Sequence, residues 1–243
     1  MSRELHVRIS KDAIDREARR AGVICRIRKK KLRLTERHWA ARVAFVQVER
    51  PHDFWRKAFT TDEKTFTIHY DKRGVWIDAG DDVPPRTSTK YQVNLKVWGG
   101  VGYHGLTPLL RVPTSQTGEQ YRDFLRDKVV PIMKRHYGSN WIFQQDSDGS
   151  HTARVVSEWL NSQDIEWIRD WPTLSPDLPG IENLWAILIQ RLAERQHRTI
   201  EGLWRSLQDE WENISESLCR RLALSVPKRL KKVIELGGEA LKH

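Results

Sequence analysis

The sequence predicts an α/β protein: a mixed sheet flanked by helices, with a basic helical arm at the N-terminus. Three observations carry this. Segments that alternate apolar and polar residues fill much of 57–112, after which strand and helix periods alternate toward the C-terminus. Hydrophobic residues make up 39% of the 243, with eleven Trp among them, enough to build a sizeable core. Positive charge is concentrated at one end: residues 1–50 hold 15 Lys and Arg against 6 Asp and Glu, a net of +9, while residues 51–243 net only +1.

In chain order, 11–21 has helical composition, with Ser10 as N-cap and Gly22 as stop. The segment 26–33 is too charged for a core and reads as an extended linker. Thr35 caps a second predicted helix over 36–50. Lys57–Thr61 leads into Asp62, and Thr65–Tyr70 alternates like a half-buried strand. Asp71–Gly74 reads as a hairpin turn and Val75–Ile77 as its return strand. Tyr91–Val101 is a long strand ending in two glycines, and Thr107–Val112 is a further one. Gln120–His136 has helical spacing. Trp141–Gln145 is a short strand delivering Asp146, Thr152–Gln163 a helix, and Ile165–Ile168 a strand. The proline-rich loop 171–180 precedes a helix over Ile181–Arg195 with Glu182 in its first turn. Helices over 200–214 and 216–236 complete the chain.

A basic arm on a near-neutral body suits a phosphate backbone, since each neutralised phosphate releases counterions. The candidate contacts are Arg16, Arg19, Arg20, Arg26, Arg28, Lys29, Lys30, Lys31 and Arg33. The alternative is a solvated, self-repelling tail. The two cysteines, Cys25 and Cys219, offer neither a disulfide framework nor a zinc cluster. No apolar run approaches the roughly 20 residues of a membrane helix.

Cleaving and rejoining phosphodiesters calls for hard oxygen ligands around divalent cations, presented from rigid elements. Asp62, Asp146 and Glu182 stand at suitable places: on a strand, at a strand end and at a helix start. Each has another reading. Asp62 and Glu63 can be a surface pair beside Lys64, Asp146 and Asp148 turn residues, and Glu182 a complement to the helix macrodipole. Among 32 acidic residues, position alone does not decide.

The surrounding sequence adds a resemblance. WRKAFTTDEKTF (55–66), VWGG (97–100), IFQQDSDGSH (142–151) and WPTLSPDLPGIENLW (171–185) resemble, in order, the blocks of the Tc/mariner superfamily of DDE transposases, in its glutamate-bearing, Tc-like branch. Thirty-five residues separate Asp146 from Glu182, close to that branch's spacing. Residues 10–22 resemble the last helix of the family's paired helix-turn-helix region. The resemblance implies an RNase H-like DDE catalytic domain over 51–243, a remnant of the DNA-recognition region over 1–25, and a basic linker and helix over 26–50. It implies Mg²⁺ or Mn²⁺, two ions, on Asp62, Asp146 and Glu182, with His151 near DNA or steadying the metal site. It also implies cut-and-paste transposition on double-stranded DNA, both transposon ends and target, by a nuclear protein that works as a homodimer.

Two departures stand out. Ser147-Asp148-Gly149 replaces the family's Asn-Ala-Pro, placing an extra carboxylate where it would compete for metal or repel phosphate. Pro179-Gly180 replaces the Asn-Pro before the third acid. They keep open a second reading, a catalytically silent DNA-binding derivative. The arm itself is testable. Deleting it should weaken DNA binding and flatten the log–log salt dependence by about 0.9 for each phosphate that the arm neutralises; an unchanged slope in a titration of duplex binding would show that the arm does not touch DNA.

Overall fold

The strand β1 (Ala58–Ile68) is the axis of the sheet. In the computed structural model, which describes residues 16, 17, 19–22, 33–68, 93–193, 195, 197 and 199–241, it pairs antiparallel with β2 (Val93–Gly102) and parallel with β5 (Ile142–Gln144). β3 (Gly105–Leu106) and β4 (Leu110–Arg111) lie on the outer side of β2, and β6 (Glu166–Trp167) pairs parallel with β5. The order β3-β2-β1-β5-β6 is the mixed sheet expected. Asp62 sits in the middle of one continuous strand, opposite Gly99, rather than between two shorter ones. The strands expected at 107–112 and 165–168 are reduced to two residues each. The hairpin expected at 71–77 lies outside the described residues.

Side-chain alternation along β1 sends successive residues to opposite faces. On one face Phe66 and Ile68, with Leu95, Val97 and Val101 of β2, pack under α6 (Ile181–Ala193), α7 (Ile200–Glu212) and α8 (Glu216–Glu235). On the other, Phe59 and Trp98 pack under the 118–137 helix and α5 (Arg154–Ser162). The 118–137 helix is not uniform. α3 (Gly118–Phe124) and α4 (Val130–Tyr137) flank a π-helical stretch, Leu125–Val129. Pro131 explains the widened turn: its ring has no N–H to give and would collide with the carbonyl four residues back.

α1 (Glu36–Gln47) is capped by Thr35 in a capping box with His38 and stops before Pro51. The sequence placed it with the basic linker, outside the catalytic body. The structure puts it in the unit 34–243: Phe45 is buried with Trp55, Trp171 and Val226, between α1, α2 (Phe54–Lys57) and α8. Arg42, one of the basic residues counted toward the arm, is fully buried. Its guanidinium donates to both oxygens of Asp177, at 2.8 and 2.6 Å, to Ser175 Oγ at 2.8 Å and to the carbonyl of Gly238 at 2.9 Å. In the separate unit 1–33, Arg16, Arg19 and Arg20 are helical and exposed, and Gly22 follows at φ 73°, in the left-handed region that stops a helix. Arg33 is exposed, and Arg26, Arg28, Lys29, Lys30 and Lys31 lie outside the described residues. A deletion that tests the arm therefore ends at 33 and spares α1.

Burial works against the Asp177 charge, but the bonds from Arg42 and from the Leu241 N–H outweigh it and hold the carboxyl below the usual aspartate range. The pair's contribution is thus present above that range and lost as pH falls through the lowered value. Arg42→Met should cost about 3–5 kcal/mol in urea unfolding at pH 7, because it leaves a buried, unpaired carboxylate. Part of the deficit should close in acid, where the unpaired, buried Asp177 of the variant takes up a proton and is no longer a buried charge; an equal stability gap at pH 7 and pH 3 would contradict it.

Candidate active site

Asp62 and Glu63 are neighbours in sequence and face opposite ways. Asp62 points to the α6–α8 side, where the indole N–H of Trp185 donates to its Oδ2 at 2.9 Å. Trp185 is fully buried, stacked on Trp211 and edge-on to Phe66. Room for it comes from Gly99, the residue opposite Asp62. A Cβ there would come within 3.1 Å of both the Trp185 and the Trp211 rings. Glu182 and Trp185 are three residues apart on α6, hence on one face of it, so docking the indole brings Glu182 toward Asp62. Burial, the Glu182 charge and lesser repulsion from Glu63 and Asp146 push the Asp62 pKa up to about 7, against the opposing bond from Trp185.

Asp146 follows β5 by two residues and is exposed. Its Oδ1 is 2.6 Å from Nδ1 of His151, whose Nε2 lies 3.3 Å from Glu63 Oε2. The imidazole is 5% exposed and stacks on the Tyr121 ring at 4.0 Å. Burial disfavours its positive charge, yet bonds to Asp146 and Glu63 outweigh burial and lift its pKa to about 9. Gln145 braces the arrangement, accepting from the Tyr121 hydroxyl at 3.1 Å and donating to the His151 carbonyl at 3.0 Å. His151 therefore faces carboxylates with both ring nitrogens, an arrangement that suits the second of its two expected roles, steadying the metal site. The alternative reading made Glu63 one of a surface pair, but its side chain is 6% exposed, and its Oε1 has no hydrogen-bond partner among the described residues. The period of two along β1 was the signal that separates its face from that of Asp62.

The loop before Glu182 is clamped from two sides. Arg42 holds Asp177, and Arg229 of α8 donates to the carbonyls of Asp177 and Pro179 and, at 2.7 Å, to Asn183 Oδ1. Gly180 lies against Leu222, whose Cβ would be 3.0 Å from any added methyl group. Glu182 itself has the Lys64 ammonium at 3.6 Å. The extra carboxylate, Asp148, is occupied within its own turn: its Oδ1 accepts from Ser150 N at 2.9 Å and Ser150 Oγ at 2.7 Å. Ser147 is likewise tied down, donating to the Trp171 carbonyl at 2.8 Å.

Among the described residues no three His, Cys, Asp or Glu side chains already stand as a coordination sphere. The donor set nevertheless fits a hard divalent cation. It consists of carboxylate oxygens, and their mutual repulsion at Asp62 is what a cation would relieve. A cavity of about 140 Å³ opens beside Asp146, lined by Ser147, His151, Trp167, Arg169 and Trp171. A larger cavity, about 840 Å³ between β3, α7 and α8, includes none of the three acids.

Sheet order and flanking helices match solved structures. The Mos1 mariner paired-end complex with Mn superposes with a TM-score of 0.74 at 20% identity, over 96% of this chain and 72% of that one, which gives this chain the RNase H-like fold. The family described as DDE superfamily endonuclease matches residues 58–203. The transposable element Tc1 transposase of Caenorhabditis elegans is 29% identical over 96% of this chain and 88% of its own length. The Tcb1 transposase of Caenorhabditis briggsae is 27% identical over 78% and 71%. The chain belongs to the DDE superfamily endonucleases, within the Tc/mariner transposases.

Because the indole N–H favours the ionised form of Asp62, Trp185→Phe should raise the Asp62 pKa above its value of about 7. Carboxyl carbon NMR titration of the metal-free protein reads this directly, and a pKa unchanged or lowered would mean that the indole does not bond to the carboxylate.

Proposed function

We propose that the chain is a cut-and-paste DNA transposase that uses Mg²⁺ or Mn²⁺, as two ions, on Asp62, Asp146 and Glu182. What supports this reading is where the acids stand, in a strand middle, just past a strand end and at a helix start, with the Trp185 bond tying α6 to Asp62, and with Glu182 and Asp146 both adding to the raised pKa of Asp62. When bound, the ions polarise the attacking oxygen and take up charge on the leaving oxygen. In the first reaction water attacks a phosphorus at the element's end, and the P–O bond to the strand's 3′ oxygen breaks to free a 3′-hydroxyl. In the second the oxygen of that hydroxyl attacks a target phosphorus and gives up its proton; a new P–O bond forms as the bond from that phosphorus to the target strand's 3′ oxygen breaks, and the target is left with a free 3′-hydroxyl.

The chain's own groups have distinct tasks. Asp62 is held by Trp185 with one oxygen engaged, which fixes the direction of the other. His151 carries a positive charge between Asp146 and Glu63, orients the Asp146 carboxylate and offsets part of the local negative charge. Lys64 keeps Glu182 beside β1 until a cation takes its place. Asp148 is bonded within its own turn and does not intrude, which favours the enzyme over the silent derivative. Duplex DNA, both transposon ends and target, is the substrate. The protein acts as a homodimer in the nucleus.

The test is nicking of labelled supercoiled plasmid in Mn²⁺. Wild type should cleave, and Asp62→Ala, Asp146→Ala and Glu182→Ala should each lose at least about 100-fold, the scale expected for removing a group that stabilises charge in the transition state. No cleavage by wild type, with DNA binding intact, would favour the silent derivative.

A further inference from the structure

α8 carries more positive charge than its packing uses. Its buried side, Cys219, Leu222, Val226, Leu230 and Val233, seals the core. On one flank Arg221, Ser225, Lys228 and Lys232 recur at intervals of four, three and four, so they line up on one side of the helix. Arg221, Lys228 and Lys232 are exposed, and among the described residues no acidic side chain pairs with them, in contrast to Arg220, which holds Glu216 at 3.0 Å on another side of the helix. Lys232 in the last turn also complements the helix macrodipole, but Arg221 and Lys228 lie beyond that effect. Lys228 and Lys232, four residues apart, repel each other at a small cost to the helix, and with Arg221 they form a basic stripe on a body, residues 34–243, whose net charge is only +2, which suits an anionic ligand.

The stripe's position names the ligand. Arg229, four residues after Ser225 and three before Lys232, reaches the carbonyl of Pro179 and the side chain of Asn183, the residue after Glu182. The stripe thus lies on the flank of α8 that adjoins the loop carrying the third acid. From Arg221 to Lys232 is about 16 Å at ~1.5 Å per residue, the axial length of roughly five phosphates on one strand at ~3.4 Å each.

We infer that the Arg221–Lys228–Lys232 flank of α8 is a second DNA-binding surface, which grips the phosphate backbone of the duplex beside the carboxylate centre, independently of the N-terminal arm. This rests on the transposase reading above. Contacts of this kind position a duplex without reading its sequence.

The experiment is duplex DNA binding by the full chain, followed by fluorescence anisotropy in EDTA across a range of salt. Lys228→Gln/Lys232→Gln should lower the log–log slope by about 1.8, and adding Arg221→Gln should lower it by about 0.9 more. Arg220→Gln/Lys231→Gln, on other sides of the same helix, should change it by less than half as much. Gln keeps the helix propensity of Lys and Arg, all these sites are exposed, and the charge pairs lost or relieved are surface ones, so thermal melts should stay within about 2 °C of wild type. Equal slopes in wild type and Lys228→Gln/Lys232→Gln, or equal losses in the two double variants, would overturn the stripe while leaving the transposase reading standing. An absence of salt-dependent binding by wild type would instead overturn both.

Discussion

The carboxylate centre depends on one packed indole. Trp185 is wedged between β1, β2 and α7, with no exposed surface, and it does three things at once. It fastens α6 to the sheet through its contacts with Phe66 and Trp211. It requires a residue without a side chain at position 99. Through its N–H it fixes one oxygen of Asp62. Since Glu182 is one helical turn away on the same face, the apolar packing that seats the indole also sets how near the first and third acids come. Core and site are not separable here: what buries Trp185 also brings together charges that repel each other. The folded protein carries that repulsion in the raised pKa of Asp62, and a divalent cation would discharge it.

A second constraint keeps the helix start from drifting. The loop 171–180 has little regular structure, yet its residues are mostly buried, and its backbone groups need partners. Arg229 of α8 supplies two of them, at the carbonyls of Asp177 and Pro179, while Arg42 of α1 holds the loop by its side chains. Arg42 sits at the bottom of this arrangement, joining Ser175 and Asp177 to the carbonyl of Gly238, while Asp177 also accepts from Leu241 N, so α1, the loop and the chain's end share one buried ion pair. Such a pair adds little net stability compared with an apolar replacement. Its geometry is selective, however: a bidentate guanidinium accepts one arrangement of the loop and penalises others.

What was legible in the sequence follows from where the physical signal lies. Asp62, Asp146 and Glu182 stand within local blocks whose strand or helix setting shows in ten or fifteen residues, and the sheet flanked by helices came from the same periods. Arg42 did not show, because its partner, Asp177, is 135 residues away and a basic residue beside a basic linker looks solvated. Glu63 entered the sequence reading only as half of a possible surface pair, because charge beside charge suggests a surface, although the strand period assigns it to a face of its own, with His151. The π-helical stretch was hidden within an otherwise good helical period and was marked only by Pro131. The stripe on α8 was masked by composition: counted over 51–243, its cations cancel against acids that the fold places elsewhere.

The distribution of charge then divides the work. A centre made of Asp62, Asp146, Glu182 and Glu63 repels phosphate, and His151 and Lys64 offset only part of that, each already committed to carboxylates. Such a centre cannot attract DNA by itself. Affinity has to come from cations placed around it, and a divalent cation held among the acids would offset their negative charge toward an incoming phosphodiester. Chemistry and grip are therefore built from different residues with opposite requirements: acids brought close and partly buried for the first, unpaired and solvated cations for the second. The fold satisfies both by seating Glu182 and Arg229 on adjoining helices, so that the same packing that assembles the acids sets the basic flank of α8 beside them.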